Sequence, residues 1–201
     1  MQIVELLMAM TAAAVLMILH EFPKAFYFCI TSENKMSQKW WKKVFLFHRY
    51  IDPIGIVLAT VSFAGFSRPL MFRVQNQKKN LRMGLLGFIC LFCIFIVSVG
   101  VLKYNYGICS LSITVKGISA VAVELFWIYM AILSVSMFFV NLFPISVFDM
   151  GLCIAGVSSK HYLGIIKSDM LIKIILMLAI AVGVIRYFAL ETVKMILAFP
   201  I

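Results

Sequence analysis

At 201 residues, with 64% hydrophobic and only 13% charged side chains, the chain is too apolar for a soluble domain. Its formal charge of +10 would suit nucleic acid, but the basic residues lie between apolar runs and not on one folded face. That pattern excludes nucleic acid as a partner and favours the lipid bilayer and its anionic headgroups.

The composition implies an all-α integral membrane protein: a single polytopic membrane domain over 1–201, with about four transmembrane helices and a short membrane-embedded hairpin or re-entrant segment. Residues 6–19 carry no charge, and continuing that helix to 30 makes it long enough to cross the hydrocarbon, giving a first span over about 3–30. Glu5 and the lack of a basic region before it point to a retained span and not a cleaved signal. His20, Glu21 and Lys24 then fall within membrane depth, and Pro23 is expected to kink or interrupt the helix there. Residues 32–41 read as a polar connector with Lys35 and Lys39, and Trp40 and Trp41 beside Lys42 and Lys43 suit a headgroup interface.

Asp52-Pro53-Ile54-Gly55 opens an apolar stretch over 54–66 that is too short to span comfortably, and Ser67-Arg68-Pro69 brings the chain back out. A hairpin or re-entrant loop over about 52–70 is the expectation, tolerable only where protein covers it. Arg73, Lys78, Lys79 and Arg82 form a second basic segment. Spans are expected over about 83–102, 117–143 and 171–190, with a loop or partly embedded segment over 145–170. Eleven of the eighteen Lys and Arg residues lie between Lys24 and Arg82, which orients that side toward the cytoplasm.

Five cysteines (Cys29, Cys90, Cys93, Cys109, Cys153) sit mostly inside apolar runs, so buried thiols are expected in preference to a disulfide framework. Cys90-Leu91-Phe92-Cys93 has redox or zinc spacing but lies mid-span without a second pair, and reads as packing.

Three separated stretches carry a resemblance. His20-Glu21-Phe22-Pro23-Lys24-Ala25 looks like His-Glu-Phe-x-His-Ala. Ile51-Asp52-Pro53-Ile54-Gly55 with Ser67-Arg68-Pro69 looks like an Asp-Pro-x-Gly segment and a Lys-Pro turn bracketing an embedded hairpin. Asn141-Leu142-Phe143-Pro144, with Asp149 five residues beyond the proline, looks like an Asn-x-x-Pro and Asp-Gly motif. In order and spacing these resemble the site-2 protease family of intramembrane zinc metalloproteases, in particular its compact bacterial members, over roughly 6–155.

The resemblance implies a zinc-ligand position at His20, a water-activating base at Glu21 and a carboxylate ligand at Asp149. It implies a substrate-binding role for Asn141 and Pro144, a structural role for Asp52, Pro53 and Gly55, and a bacterial cytoplasmic membrane with the site facing the cytoplasm. The chain departs from the pattern at Lys24, which replaces the second histidine, at Met150, which replaces the glycine after the aspartate, and over 86–95, which lacks an Ala-Gly-Pro element.

Lys24 decides the expected chemistry. Catalytic zinc takes three protein ligands and a water, and an ammonium in place of an imidazole removes a lone pair and adds a repelling charge. The expectation is that Lys24 takes over the metal's electrostatic role, pairing with Glu21 three residues earlier and with Asp149. His48 and His161, beside other basic residues, read as interfacial or solvated and not as a replacement ligand.

Three functions compete. The first is an inactive pseudoprotease serving as a membrane binding or regulatory subunit, capturing a transmembrane protein by strand addition at the 54–66 hairpin, with no cofactor. The second is an active intramembrane zinc metalloprotease with an altered ligand set. The third, an unrelated transporter, finds no internal repeat to support it.

Overall fold

The computed structural model describes residues 2–31, 38–69, 76–109 and 117–198. The expectations for Lys35 and Arg73 lie outside the described residues. Helix α1 (Gln2–Thr31) is followed by the short α2 (Gln38–Val44), a 3-10 turn (Phe47–Tyr50) and α3 (Pro53–Ser62). Next come α4 (Gln77–Cys109), α5 (Ile118–Asn141), α6 (Asp149–Val157), α7 (Ser159–Ala181) and α8 (Val184–Ala198).

The architecture is that of an all-α, multi-pass membrane protein. Three helices, over Ile3–Thr31, Gln77–Tyr104 and Ser119–Asn141, are long and apolar enough to cross a bilayer. α7 and α8 together are also long and apolar enough, but the pair is bent by 58° at the break between them, so the count is three or four. In the apolar window of α5 half the residues are buried, against a third in α1 and α4, so α5 is the central post and the others lean on it. On one side Met130, Leu133 and Met137 of α5 meet Ala12, Ala13 and Leu16 of α1. On the other, Ala131, Ile132 and Val135 meet Phe95 and Val99 of α4 and Ala189 and Val193 of α8. Without water between the helices to expel, close packing of such small and flexible side chains supplies much of the association.

Pro23 lies inside α1 without ending it. The proline removes one backbone donor, but a long helix held laterally by its neighbours tolerates that loss.

Within 52–69 the chain forms a short helix, Pro53–Ser62, and not a hairpin. Asp52 caps it, its Oδ1 accepting from the backbone N–H groups of Ile54 at 2.9 Å and Gly55 at 3.1 Å, and Pro53 occupies the first turn, where a missing N–H costs nothing. Ten residues give about 15 Å of helix, half the hydrocarbon thickness. Phe63 adopts a left-handed conformation (φ 51°) that stops the helix. The chain then turns back, and Arg68 N–H donates to the Tyr50 carbonyl at 3.0 Å, so the two ends of the segment lie side by side. Gly55 permits that return, because a Cβ there would strike the Phe66 carbonyl oxygen. With 53–62 helical, no strand edge exists there for strand addition.

The expected spans differ from the helices at both ends. α4 begins at Gln77 and runs past the expected end at 102. Residues 145–170, expected as a loop or partly embedded segment, contain α6 and the first half of α7. The expected span over 171–190 is broken at Val182 and Gly183, where Gly183 takes φ +82°, a left-handed conformation that an α-helix cannot continue through. Just beyond the break, Arg186 places its guanidinium 4.6 Å from the centre of the Phe63 ring, joining α8 to the tip of the re-entrant segment.

Candidate functional site: a buried ionic cluster

Three segments deliver the site. α1 brings His20, Glu21 and Lys24 on one face, since positions three and four apart lie together on a helix. The return from α3 brings Ser67, and the start of α6 brings Asp149. All five side chains are buried.

Lys24 Nζ donates to Glu21 Oε1 at 2.8 Å and to Asp149 Oδ1 at 2.8 Å. The other Asp149 oxygen, Oδ2, lies 2.7 Å from His20 Nε2. Ser67 Oγ donates to Glu21 Oε1 at 2.6 Å and lies 3.2 Å from His20 Nδ1. His20 Nδ1 is also 3.2 Å from Glu21 Oε1.

These distances assign protons. A carboxylate only accepts, so the short contact at Nε2 requires a proton between His20 and Asp149; the Ser67 hydroxyl, having spent its hydrogen on Glu21, can only accept from Nδ1. Lys24 Nζ stands 3.4 Å from His20 Nε2, a contact that would be a hydrogen bond if Nε2 were bare. The shorter approach to Asp149 decides against that, and the two donors instead share the aspartate. With one proton shared between His20 and Asp149, and the Lys24 ammonium balancing the Glu21 carboxylate, the cluster is neutral as a whole, the condition under which such groups tolerate a low-dielectric interior. For Asp149 burial works to raise the carboxyl pKa, but the Lys24 ammonium and His20 outweigh it and hold the group below its ordinary range.

Small residues make room for this. On α4, a Cβ at Gly87 would collide with the Asp149 carboxylate, and one at Gly84 would reach the Asp149 carbonyl oxygen and Cys153 Sγ. One turn earlier, Gly156 of α6 is pressed against Leu81 in the same way. The glycines are thus the seat on which α6 brings its aspartate to α1. The loop before α6 is fixed by α7: Ser146 N–H donates to Asp169 Oδ1 at 2.9 Å, and Tyr162 Oη donates to the Ser146 carbonyl at 3.2 Å.

Compared with known families, curated proteins and solved structures, the chain matches none.

The structure brings His20, Glu21, Lys24 and Asp149 together and keeps the other expected residues at one remove. Asn141 is buried, its amide nitrogen donating to the Met137 carbonyl at 2.9 Å and its oxygen facing the Asp149 N–H at 3.5 Å, so its polar atoms serve the Asp149 turn. Pro144 lines a cleft between α6 and α7. Asp52, Pro53 and Gly55 shape the re-entrant helix, as described above. His48 and His161 are exposed. Three participants were not singled out from the sequence. In sequence Ser67 belongs to a turn, and its approach to a buried Glu 46 residues away is a signal visible only in three dimensions. Gly87 sits in an apolar run without a motif, and Asp169 in the stretch expected as a loop or partly embedded segment.

Proposed function

We propose that this chain is a site-2-protease-like membrane protein in which a covalently attached ammonium has taken the place of the metal, and that it acts without proteolysis, as a binding or regulatory subunit for another transmembrane protein. In this reading the site opens toward the cytoplasmic side of a bacterial cytoplasmic membrane, in keeping with the cations clustered over 24–82.

The observation that carries the proposal is the position of Lys24 Nζ, within 2.8 Å of both carboxylates and 3.4 Å of His20 Nε2. Those three groups are the ones that the resemblance would assign to a zinc centre. A zinc ligand must offer a lone pair. Here the His20 Nε2 faces a carboxylate, each carboxylate already binds the amine, and a divalent ion among them would meet a fixed positive charge. These residues do not fit zinc. Glu21 accepts from both Lys24 and Ser67 on one oxygen, so the amine and the hydroxyl hold the carboxylate that the resemblance would make the base.

The test is metal content. Purified wild-type protein is expected to hold no stoichiometric zinc after incubation with the ion, whereas Lys24→His, which restores a second imidazole one turn from His20, is expected to gain it. Zinc retained by the wild type at one ion per chain, together with peptide cleavage lost in Glu21→Gln, would return hydrolysis to first place.

A further inference from the structure

Away from the ionic cluster, an open cleft of about 600 Å³ lies between α6 and α7. Its size lies in the range of small-molecule sites. α6 contributes Met150, Cys153, Ile154 and Val157, and α7 contributes His161, Gly164, Ile165 and Ser168. Each set follows the i, i+3, i+4, i+7 spacing of one helix face, so two continuous stripes confront each other and yet do not close. The reason is on α7. Gly164 and Ser168 present almost no side chain, and a Cβ added at Gly164 would meet nothing within 4 Å.

The two ends of the cleft differ in character. Along its length the walls are apolar. At the α7 N-terminus they become polar, with Ser158, whose Oγ accepts from the His161 N–H, and the His161 ring. Gln77 Nε2 donates to Ser159 Oγ at 2.8 Å, which ties the first turn of α4 to the first turn of α7 at this mouth. The tie sets the exposed Lys78 of α4 and the exposed Lys160 of α7 each one residue from the contact. The starts of α4 and α7 carry Lys78, Lys79, whose ammonium donates to the Thr31 carbonyl, Arg82 and Lys160, and no acidic residue. An apolar trough thus ends in a cationic mouth at the start of two membrane helices, the level of lipid headgroups.

We infer that the α6–α7 cleft is a binding site for an anionic phospholipid, with one acyl chain lying against Ile154, Val157 and Ile165 and the phosphate held at the mouth by Lys78, Lys160 and His161. The inference depends only on membrane residence. It stands or falls apart from the proposal for the ionic cluster.

The experiment uses the full-length protein in phosphatidylcholine nanodiscs doped with phosphatidylglycerol carrying a photoactivatable diazirine on its acyl chain. Crosslinks are expected on peptides covering 144–168, and native mass spectrometry is expected to retain phosphatidylglycerol in preference to phosphatidylcholine. Gly164→Leu, which fills the trough where space is open, is expected to abolish both signals, and Lys78→Gln and Lys160→Gln to weaken retention by about fivefold for each cation removed. Excess inorganic phosphate should displace nothing. Equal retention of the two lipids, crosslinks lying elsewhere, or displacement by phosphate alone would overturn the inference. So would a Gly164→Leu protein that keeps its lipid but loses self-association, the outcome expected if the trough receives a second helix. The crosslink map needs no variant and decides the matter even where a substitution fails to fold.

Discussion

Lys24 Nζ and Asp149 Oδ1 are 2.8 Å apart across 125 residues of chain, and both side chains are buried. This bond fastens α1 to α6 from inside the bundle. Breaking a buried pair by removing one partner costs about 3–5 kcal/mol, because the other charge is left uncompensated. Lys24→Met is therefore expected to be strongly destabilised. Adding Asp149→Asn should restore part of the loss, since it removes one of the orphaned carboxylates. Denaturant unfolding in detergent, run as a double-mutant cycle, measures both, and strictly additive losses would contradict the pairing.

Ser67 is the cluster's only neutral member. Its hydroxyl donates to Glu21 and stands within reach of His20, so Ser67→Ala strips a donor from a buried carboxylate. A loss of about 1–3 kcal/mol is expected. The same unfolding measurement checks it, and an unchanged midpoint would show that the re-entrant segment contributes nothing to the site.

Gly87 and Gly100 form a matched pair on α4. A Cβ at Gly87 would run into the Asp149 carboxylate, whereas one at Gly100 meets nothing within 4 Å. Gly87→Ala is expected to push α6 outward and lower stability by about 1–3 kcal/mol, the range for overpacking. Gly100→Ala should be neutral or stabilising, by up to about 1 kcal/mol, through helix propensity. A thermal shift assay on the two variants side by side distinguishes them, and equal behaviour would mean that the α4–α6 seam is looser than described.

Burial pushes the Cys153 thiol up to about 11, with the Asp149 carboxylate adding to the shift. The thiolate is the reactive form, so alkylation at Cys153 should climb about tenfold per pH unit across the mildly alkaline range and not level off near the ordinary thiol pKa. Asp149→Asn removes the neighbouring negative charge and should raise the rate at a given pH. Quantifying iodoacetamide adducts on the Cys153 peptide provides the readout; a plateau near pH 9 would contradict the shift.

Much of this was legible along the chain, for reasons that differ by element. Long uncharged runs announce spanning helices because the bilayer demands length and apolarity together, and α1, α4 and α5 follow that rule. The convergence of Glu21, Lys24 and Asp149 was legible because each is an ionisable group costly to leave alone at membrane depth. Where one helix ends and another begins was not. Gly183 breaks an apolar run that hydropathy cannot distinguish from a continuous span. The Asp52 cap and Pro53 were visible at the start of α3, but whether the apolar residues after them wind or extend depends on what packs against them. Ser67, Gly87 and Asp169 act through neighbours 46, 62 and 23 residues away, and nothing local records those partners.

The Glu21–Lys24 bond spans less than one helical turn, and that has a bearing on biogenesis. α1 leaves the ribosome well before α6 is translated, so the first segment must enter the bilayer while Asp149 does not yet exist. Glu21 and Lys24 enter as a self-neutralised couple, which lowers the penalty on insertion. A chain that relied on a captured ion at this position would have to carry an unbalanced carboxylate into the lipid and wait for the rest of the protein to be made.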